Sequence, residues 1–390
     1  MGADELTNIM TSLLNADDYR ASAKRYLPKG LFEYIDRGTE AELALSDIRR
    51  SLDVIKFRPS VLQGHLACDM TATFLGKRHA TPLIIAPTAL AGLVSYDGEV
   101  KLARAASRLG MPFCVSTQSV TSIDDIRKGA PDADLWLQLY VWKNRDLTWG
   151  LLGRAKRSGV STLVVTADTP LSPKRDYNQR NGFSVPFVPS VRASWDVLTH
   201  PRWLCSVMLR YLIHTGMPGY AHYPDACRTS IASQAITEDV EIDSAISWED
   251  IAEIKNRWPG KMVIKGVLSV KDALKAEALG MDGIVVSAHG GRNFDVAPAP
   301  ADVLPDIVKA LGGRMTVMAD SGVRRGSDAL KYLALGSQAV MIGRLPLYGL
   351  ASGGEQGACN ALSMLIEEMH SNLVFAGARN IEAFSAEAIL

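Results

Sequence analysis

Residues 287–295, Ser-Ala-His-Gly-Gly-Arg-Asn-Phe-Asp, place a base and a cation three positions apart. They follow the apolar run Gly-Ile-Val-Val at 283–286, which predicts a buried β-strand. His289 and Arg292 therefore emerge where a strand ends, and in an α/β barrel that is the catalytic rim. A histidine beside a fixed guanidinium suits proton removal from a small anionic substrate. The alternative is a glycine-rich turn with two exposed polar side chains.

Polar residues at the ends of the other predicted strands argue against that alternative, because core packing does not require them there. One strand end carries Lys265. Burying this cation without a partner would be costly, so either a flavin or a carboxylate is expected to face it. The residues at the rim are, in chain order, Pro87, Thr88, Ala89, Ser116, Gln118, Gln138, Tyr140, Thr166, Asp168, Arg175, Lys265, Ser287, His289, Arg292, Asp320, Ser321, Gly322, Arg324, Gly343 and Arg344.

The elements that must position these residues are eight short apolar runs, each followed by a helical pattern. They lie at 82–87, 112–116, 135–140, 162–166, 262–265, 283–287, 316–320 and 339–343. Their lack of polar alternation is typical of parallel strands buried on both faces. Eight strand–helix units predict an α/β fold of the (β/α)₈ TIM-barrel type. A doubly wound open sheet is the alternative, but no early GxGxxG follows the first strand.

Two further segments flank or interrupt this barrel, which spans residues 82–376 and is followed by a tail at 377–390. Residues 1–81 are predicted to form a mainly helical extension of the same domain, with a short strand or two near 70–74. Residues 187–246 are an insertion after the fourth strand, far longer than an ordinary βα connection. Its apolar part must pack against the barrel or an oligomer partner, or lie in a membrane interface.

The last two strand ends have the composition of a phosphate site. Gly322, Arg324, Gly343 and Arg344 supply backbone N–H groups and guanidinium forks where such barrels bind phosphate. Arg325 is interpreted as a surface charge. One phosphate group plus the hydroxyl and amide groups of the rim predicts flavin mononucleotide (FMN) across the barrel mouth.

Composition excludes several classes of protein. The 390 residues carry 42 basic and 42 acidic side chains, a net charge of zero that argues against nucleic-acid binding. The five cysteines are scattered without CxxC spacing, which predicts a reducing compartment, no disulfide framework and no zinc site. We find no secretory signal and no uninterrupted apolar run of about 18 residues.

Taken together, these motifs resemble the FMN-dependent L-2-hydroxy acid dehydrogenase/oxidase family. The resemblance runs from about residue 17 to about residue 381, and the His-Gly-Gly-Arg element at 289–292 is the family's signature. The other matching segments are Leu-Pro-Lys at 27–29 with Tyr34, Ala-Pro-Thr at 86–88, Gln-Leu-Tyr at 138–140, Thr-Ala-Asp-Thr-Pro at 166–170, Arg-Asp at 175–176, Arg-Asn-Gly-Phe at 180–183, Lys-Gly at 265–266, and 320–326.

The resemblance implies catalytic roles for seven residues. His289 would take a proton from the substrate, and Asp168 would pair with it and stabilise the imidazolium. Arg175 and Arg292 would clamp the substrate carboxylate. Two tyrosines would bond the carboxylate and the hydroxyl or developing carbonyl, and one lysine would face the flavin N1 side; these residues are Tyr34, Tyr140 and Lys265. Transfer of a hydride and formation of a carbanion both remain open.

The same resemblance implies the cofactor contacts. The isoalloxazine edge would be bonded by Ser116, Gln138 and Thr166. The ribityl phosphate would be held by Asp320, Arg324, Gly343 and Arg344. The remaining contacts would come from Pro87, Thr88, Ala89, Ser287, Ser321 and Gly322.

Four positions depart from the usual family pattern around the site. Ala288 and Asn293 stand where the family usually has Asn and Gln, Phe294 replaces Leu, and Ser321 replaces the commoner Gly. Gln118 lies at a substrate-pocket position that varies among members. The substrate side chain is therefore open.

Within the family, the insertion resembles the loop of membrane-associated mandelate dehydrogenases, through His-Pro-Arg-Trp at 200–203 and Gly-Met-Pro at 216–218. Those enzymes pass electrons to membrane quinones. We therefore predict an (S)-2-hydroxy acid dehydrogenase of mandelate type, cytoplasmic and peripheral on the inner face of the cell membrane through residues 190–218. A homotetramer is expected by family analogy.

Three other functions are weighed against this one. A soluble oxidase of the same family would use O₂ and produce H₂O₂, and Ala89 is the residue type that glycolate oxidases carry there. A non-enzymatic flavin-binding protein on the same barrel would not need His289, Asp168 and the two arginines intact. An FMN-dependent isomerase would share the phosphate loops without two arginines aimed at a carboxylate.

Overall fold

The computed structural model describes residues 13–183, 190–224, 227 and 238–390. Its centre is a closed barrel of eight parallel strands in the order β10-β3-β4-β5-β6-β7-β8-β9. The predicted (β/α)₈ fold is confirmed, and each predicted apolar run contains one strand or, at 262–265, lies within it. The barrel strands are β3 Leu83–Ile85, β4 Phe113–Val115, β5 Leu135–Leu139, β6 Thr162–Thr166, β7 Lys261–Val267, β8 Gly283–Val286, β9 Thr316–Ala319 and β10 Ala339–Ile342.

The barrel is filled by side chains, which is why its strands read as continuous apolar runs. Residues such as Cys114, Val164 and Val285 form an interior cluster, while their neighbours in the strands pack outward against helices. A hairpin of β1 (Ala72–Phe74) and β2 (Lys77–His79) closes the end where the strands begin. There the backbone N–H of Leu75 donates to Thr316 Oγ1 at 3.3 Å. The candidate site lies at the opposite end of the barrel, where the strands finish.

Helices surround the barrel and cover its C-terminal rim. Their bounds are α1 Ala16–Tyr26, α2 Lys29–Asp36, α3 Leu43–Val54, α4 Ala91–Val94, α5 Gly98–Arg108, α6 Ile123–Gly129, α7 Arg145–Arg157, α8 Asp176–Asn181, α9 Val191–Leu198, α10 Pro201–Trp203, α11 Leu209–His214, α12 Trp248–Arg257, α13 Val270–Ala278, α14 Pro300–Leu311, α15 Gly326–Ala334 and α16 Arg344–Ala376. A π-helix spans Leu204–Met208, and 3₁₀ turns lie at Glu238–Val240 and Ala386–Ala388. The last helix is broken at Gly353 and Gly354.

The N-terminal segment and the tail both fold onto the barrel. Three helices, α1 to α3, and the β1–β2 hairpin make up residues 13–81, while residues 1–12 of the predicted extension lie outside the described residues. The tail bonds back to the segment before the hairpin through the bridges Phe57–Ile389 and Asp69–Asn380. The tail is thus joined to the N-terminal segment by backbone pairing on the outside of the barrel.

The insertion is a set of short helices with one buried and one exposed apolar face. Residues 187–189, 225–226 and 228–237 of the predicted insertion lie outside the described residues. The inner face packs on the barrel through Trp203, Val207 and Tyr211, and the indole N–H of Trp203 donates to the carbonyl of Leu93 at 2.7 Å. The outer face exposes Val191, Trp195, Leu198, Leu209, Leu212, Ile213 and Met217. No helix in the described ranges is long and apolar enough to cross a bilayer.

Candidate active site

A cavity of about 440 Å³ opens where the barrel strands end. It brings together nearly all of the residues predicted for the site. They are Tyr34, Pro87, Thr88, Ala89, Ser116, Gln118, Gln138, Tyr140, Thr166, Arg175, Lys265, His289, Arg292, Asp320, Ser321, Gly322, Arg324, Gly343 and Arg344. The two remaining predictions, Asp168 and Ser287, lie one layer behind the wall, where they bond to His289 and Lys265.

His289 is held by a carboxylate that is 121 residues away in sequence. Its Nδ1 lies 2.8 Å from Asp168 Oδ1, so Nε2 is left to face the cavity. The residue has φ of +52°, a left-handed conformation that turns the ring out of the strand direction. Burial raises the pKa of the Asp168 carboxyl, but the charges of His289 and Lys265 and the hydrogen bonds that it accepts give a net lowering. Asp168 is therefore an ionised orienting partner for the imidazole.

Asn293, one of the departures from the family pattern, supports Asp168. Its Nδ2 donates to the backbone carbonyl of Asp168 at 3.0 Å and to Thr169 Oγ1 at 2.7 Å. On the other side of the loop, Ser321 Oγ accepts from the backbone N–H of Gly290 at 3.0 Å. The loop that carries His289 is thus anchored at both ends although Ala288 has no polar side chain.

Two guanidinium groups and a tyrosine ring form a group that we call the substrate clamp, consisting of Tyr34, Arg175 and Arg292. The guanidinium carbons of Arg175 and Arg292 lie 5.6 and 5.0 Å from the centre of the Tyr34 ring. Burial and the charge of Arg292 lower the pKa of Arg175. Its buried Nε has no hydrogen-bond partner within the described part of the chain. Two neighbouring, partly buried cations with a free donor call for an anion such as a carboxylate.

Tyr140 adds a neutral donor beside the clamp. Burial and the nearby charge of Asp168 raise the pKa of its phenol to about 12. The phenol therefore keeps its proton at neutral pH and can donate a hydrogen bond to a substrate oxygen.

Lys265 forms an ion pair with a carboxylate, which is one of the two partners expected for this buried lysine. Its Nζ lies 2.8 Å from Asp320 Oδ2 and donates to Ser287 Oγ at 2.7 Å. Burial lowers the pKa of Lys265, but the charges of Asp320 and Asp168 more than offset this, and the net shift is upward. Because Lys265 also lines the cavity, it is a fixed positive charge at the cavity wall.

The hydrogen bonds of Gln138 indicate whether the cavity fits FMN. Its Oε1 accepts from Ser116 Oγ and from the backbone N–H of Thr117, both at 3.2 Å. Its buried Nε2 lacks a hydrogen-bond partner among the residues that the structure describes. A buried amide donor at a cavity wall needs an acceptor, and the carbonyl groups of an isoalloxazine ring supply one. The residues present fit the cofactor.

Two arginines at the predicted phosphate end of the cavity differ in their hydrogen bonds to the protein. Arg344 donates from Nε to the carbonyl of Ile35 at 3.0 Å and from Nη2 to that of Gly290 at 2.9 Å, and burial lowers its pKa. Arg324 lines the same end of the cavity and is exposed to solvent. Arg325, expected at the surface, is half exposed and pairs with Glu368 at 2.9 Å.

Sequence reasoning missed several residues that line the cavity, among them Arg49 and Tyr220. Arg49 of α3 lines the phosphate end and makes a two-pronged ion pair with Asp328, with distances of 2.7 and 2.8 Å. Tyr220 of the insertion is buried in the wall beside Gln118. Its segment is fixed by His222, whose ring bonds the carbonyl of Thr117 and the N–H of Ile123. Arg49 precedes the barrel and Tyr220 lies deep within the insertion, so neither stands directly at a strand end and the strand-end pattern gives no signal for them.

With the fold and the cavity established, the chain can be compared with known proteins. The FMN-dependent dehydrogenase family model matches residues 23–390. The (S)-mandelate dehydrogenase of Pseudomonas putida is 37% identical over 376 residues, covering 96% of this chain and 93% of that protein. The L-lactate dehydrogenase of Pseudomonas syringae pv. syringae is 38% identical over 382 residues, covering 96% of this chain and 98% of its own.

Among solved structures, the crystal structure of the monotopic membrane protein (S)-mandelate dehydrogenase superposes with a TM-score of 0.91 at 36% identity. The match covers 97% of this chain and 99% of that one. The fold, the cavity and these matches agree over nearly the whole length. This chain therefore belongs to the FMN-dependent dehydrogenase family.

Proposed function

We propose that this protein oxidises an (S)-2-hydroxy acid of the mandelate type to the 2-oxo acid and passes the electrons to a membrane quinone. The observation that carries the chemistry is the His289–Asp168 pair facing the same cavity as the two arginines of the substrate clamp. A base and a carboxylate-binding pair at one wall match the two needs of 2-hydroxy acid oxidation.

The residues divide the work as follows. Arg175 and Arg292 bind and orient the substrate carboxylate, and Tyr140 donates to the hydroxyl oxygen. His289 Nε2 takes a proton from the substrate, and Asp168 stabilises the resulting imidazolium through Nδ1. When bound, FMN supplies the acceptor for the two electrons of the oxidation. Its cradle includes Gln138, Ser116, Thr166, Lys265 and Arg324.

An aromatic substrate is favoured by aromatic side chains in the cavity wall, one of them in contact with the clamp. Phe183 packs on the Tyr34 ring with centroids 5.4 Å apart, and Tyr220 lines the same cavity. Aromatic side chains at such distances stabilise a further ring by stacking. A small side chain as in L-lactate would leave this space to water. The rival activity, a soluble oxidase that produces H₂O₂, is supported by Ala89 at the cavity wall.

The first test is anaerobic mixing of the purified yellow protein with (S)-mandelate, L-lactate or glycolate while the visible absorbance of the flavin is followed. We expect rapid bleaching with (S)-mandelate, slow bleaching with the other acids, and none with (R)-mandelate as the stereochemical control. Bleaching by lactate or glycolate alone would keep the chemistry and reject the aromatic substrate. If none of the acids bleaches the flavin, the proposed function is wrong.

The electron acceptor is tested on the substrate-reduced protein. Rapid recovery of the yellow colour with a soluble quinone analogue and slow recovery in air would support the dehydrogenase. Fast recovery in air with H₂O₂ produced in equal amount would support the oxidase instead.

The proposal includes a homotetramer, which sedimentation of the holoenzyme checks.

The proposed membrane contact is the exposed apolar face of the insertion, which would seat the protein on the inner face of the cell membrane. Trp195 and Ile213 are 69% and 67% exposed there. Three exposed arginines, Arg192, Arg202 and Arg210, lie on the same short helices. Apolar side chains flanked by cations suit shallow binding to anionic lipid.

Replacing Leu212 and Ile213 together with Glu should lower binding to anionic vesicles by about tenfold or more, because two apolar side chains leave the lipid and two like charges enter. Flavin content and kcat should be unchanged. The control is the double Glu variant at Leu62 and Leu66, which are fully or largely exposed far from the insertion in sequence. Vesicle binding that is absent in the natural protein, or equal in both variants, would reject the contact.

A further inference from the structure

Helix α2 links the substrate clamp to the rest of the molecule. It spans eight residues and carries Tyr34 in its last turn. Its final carbonyls accept from the two arginines at the cavity, because Arg292 Nη1 donates to Tyr34 and Arg37, and Arg344 Nε to Ile35. Any tilt of α2 therefore moves Tyr34 and the guanidinium of Arg292 together.

The first turn of α2 does not have a local cap. A helix leaves its first N–H groups without partners inside the helix, and a side chain at the N-cap position normally accepts from them. The N-cap residue here is Pro28, which has no side-chain acceptor. A helix of two turns gains little stability from its own backbone bonds, so it depends on outside contacts.

The missing cap comes from the insertion. Asp196 of α9 accepts from the backbone N–H of Lys29 at 2.9 Å and from that of Gly30 at 3.0 Å, one bond to each carboxylate oxygen. These contacts join residues 166 and 167 positions apart. The Asp196 side chain is about one-fifth exposed, so the bonds are partly shielded from water. A carboxylate at a helix N-terminus is also favoured by the helix dipole.

We propose that Asp196, which lies in the insertion, is a positioning residue that holds the substrate clamp in place. Its carboxylate fixes the start of α2, and α2 fixes Tyr34 and Arg292 at the cavity. The inference rests on the proposed function insofar as the clamp binds the substrate carboxylate. The same helix α9 exposes Trp195 and Leu198 on the outer apolar face, so one helix carries both the cap of α2 and part of the proposed membrane contact.

The test compares three variants of the holoenzyme. Asp196→Ala should raise KM for the 2-hydroxy acid about fivefold, the effect of losing one helix cap, and change kcat by less than about twofold. Asp196→Asn keeps one carbonyl oxygen and should restore part of the affinity. The control is Tyr26→Phe, which removes a 2.8 Å bond between α1 and Ser206 of the insertion without touching the N–H groups of α2. Its KM should equal that of the natural protein.

Hydrogen exchange over residues 28–36 gives a second readout that needs no substrate. Exchange of the first turn should become faster in Asp196→Ala and stay unchanged in Tyr26→Phe. Unchanged KM and unchanged exchange in Asp196→Ala, or an equal rise of KM in both variants, would overturn the positioning role. A natural protein whose flavin no hydroxy acid bleaches would contradict the proposed function, and the exchange result would still decide the role of Asp196.

Discussion

His289→Gln will lower kcat by about four powers of ten while the protein remains yellow. Gln has a similar reach and can keep a hydrogen bond to Asp168, but it cannot accept the substrate proton at neutral pH. A base positioned within hydrogen-bond reach contributes up to about 10⁴-fold, and its loss falls on kcat because the proton moves in the transition state. His289 is not among the residues proposed to hold FMN, so cofactor content should stay the same.

The measurement is the rate of flavin bleaching at saturating substrate, together with the flavin-to-protein ratio from absorbance. His65→Gln is the matched control, because among the described residues His65 does not line the cavity, and its ring bonds the backbone carbonyls of Gln63 and Ala378. We expect that variant to bleach at the natural rate. Turnover of His289→Gln within about tenfold of the natural protein would show that another group is the base.

Asp168→Asn should have the second largest effect, a loss of about 10² to 10⁴ in kcat. The variant keeps the side-chain shape but removes the charge that stabilises the imidazolium, and its amide can turn the imidazole to the wrong tautomer. Because the pKa of Asp168 is lowered from its usual value, the natural carboxylate stays ionised across the neutral range. The loss should therefore be present at every pH from about 6 to 9.

Two comparisons make this prediction specific. Asp176→Asn, at a half-exposed carboxylate that begins α8 close to Asp168 in sequence, should leave kcat within about twofold. The double variant Asp168→Asn with His289→Gln should be no slower than His289→Gln alone, because residues that act as one unit are not additive. If the two losses multiply, Asp168 acts independently of His289 and the orienting role is wrong.

The sequence by itself determined the barrel and the residues of the cavity wall that follow its strands. Strands buried on both faces must be apolar throughout, so β5 and β6 are legible as short runs without alternation. In a barrel of parallel strands every strand ends at the same rim, so the residues that follow the runs share one site before any contact is known. For that reason Gln138, Lys265, His289 and Asp320 could be placed together from local patterns.

The tertiary structure decided which of these groups touch. The pairing of His289 with Asp168 is expected from the family resemblance, not from the pattern of residues, and nothing in the sequence points to Asp320 as the partner of Lys265. Both contacts depend on strand register and side-chain direction, which periodicity does not encode. Tyr220 and Arg49 also line the cavity, although neither stands directly at the end of a barrel strand.

The cap on α2 is another contact that the local sequence does not reveal. Helix caps are usually read from the residues next to the helix, and Pro28 offers none. The acceptor is instead Asp196, brought in across 167 residues by the packing of the insertion on the N-terminal helices. Local sequence determines the elements and their ends because those depend on neighbouring residues. Contacts between distant elements form only when the whole chain packs, and here they decide how the site is held.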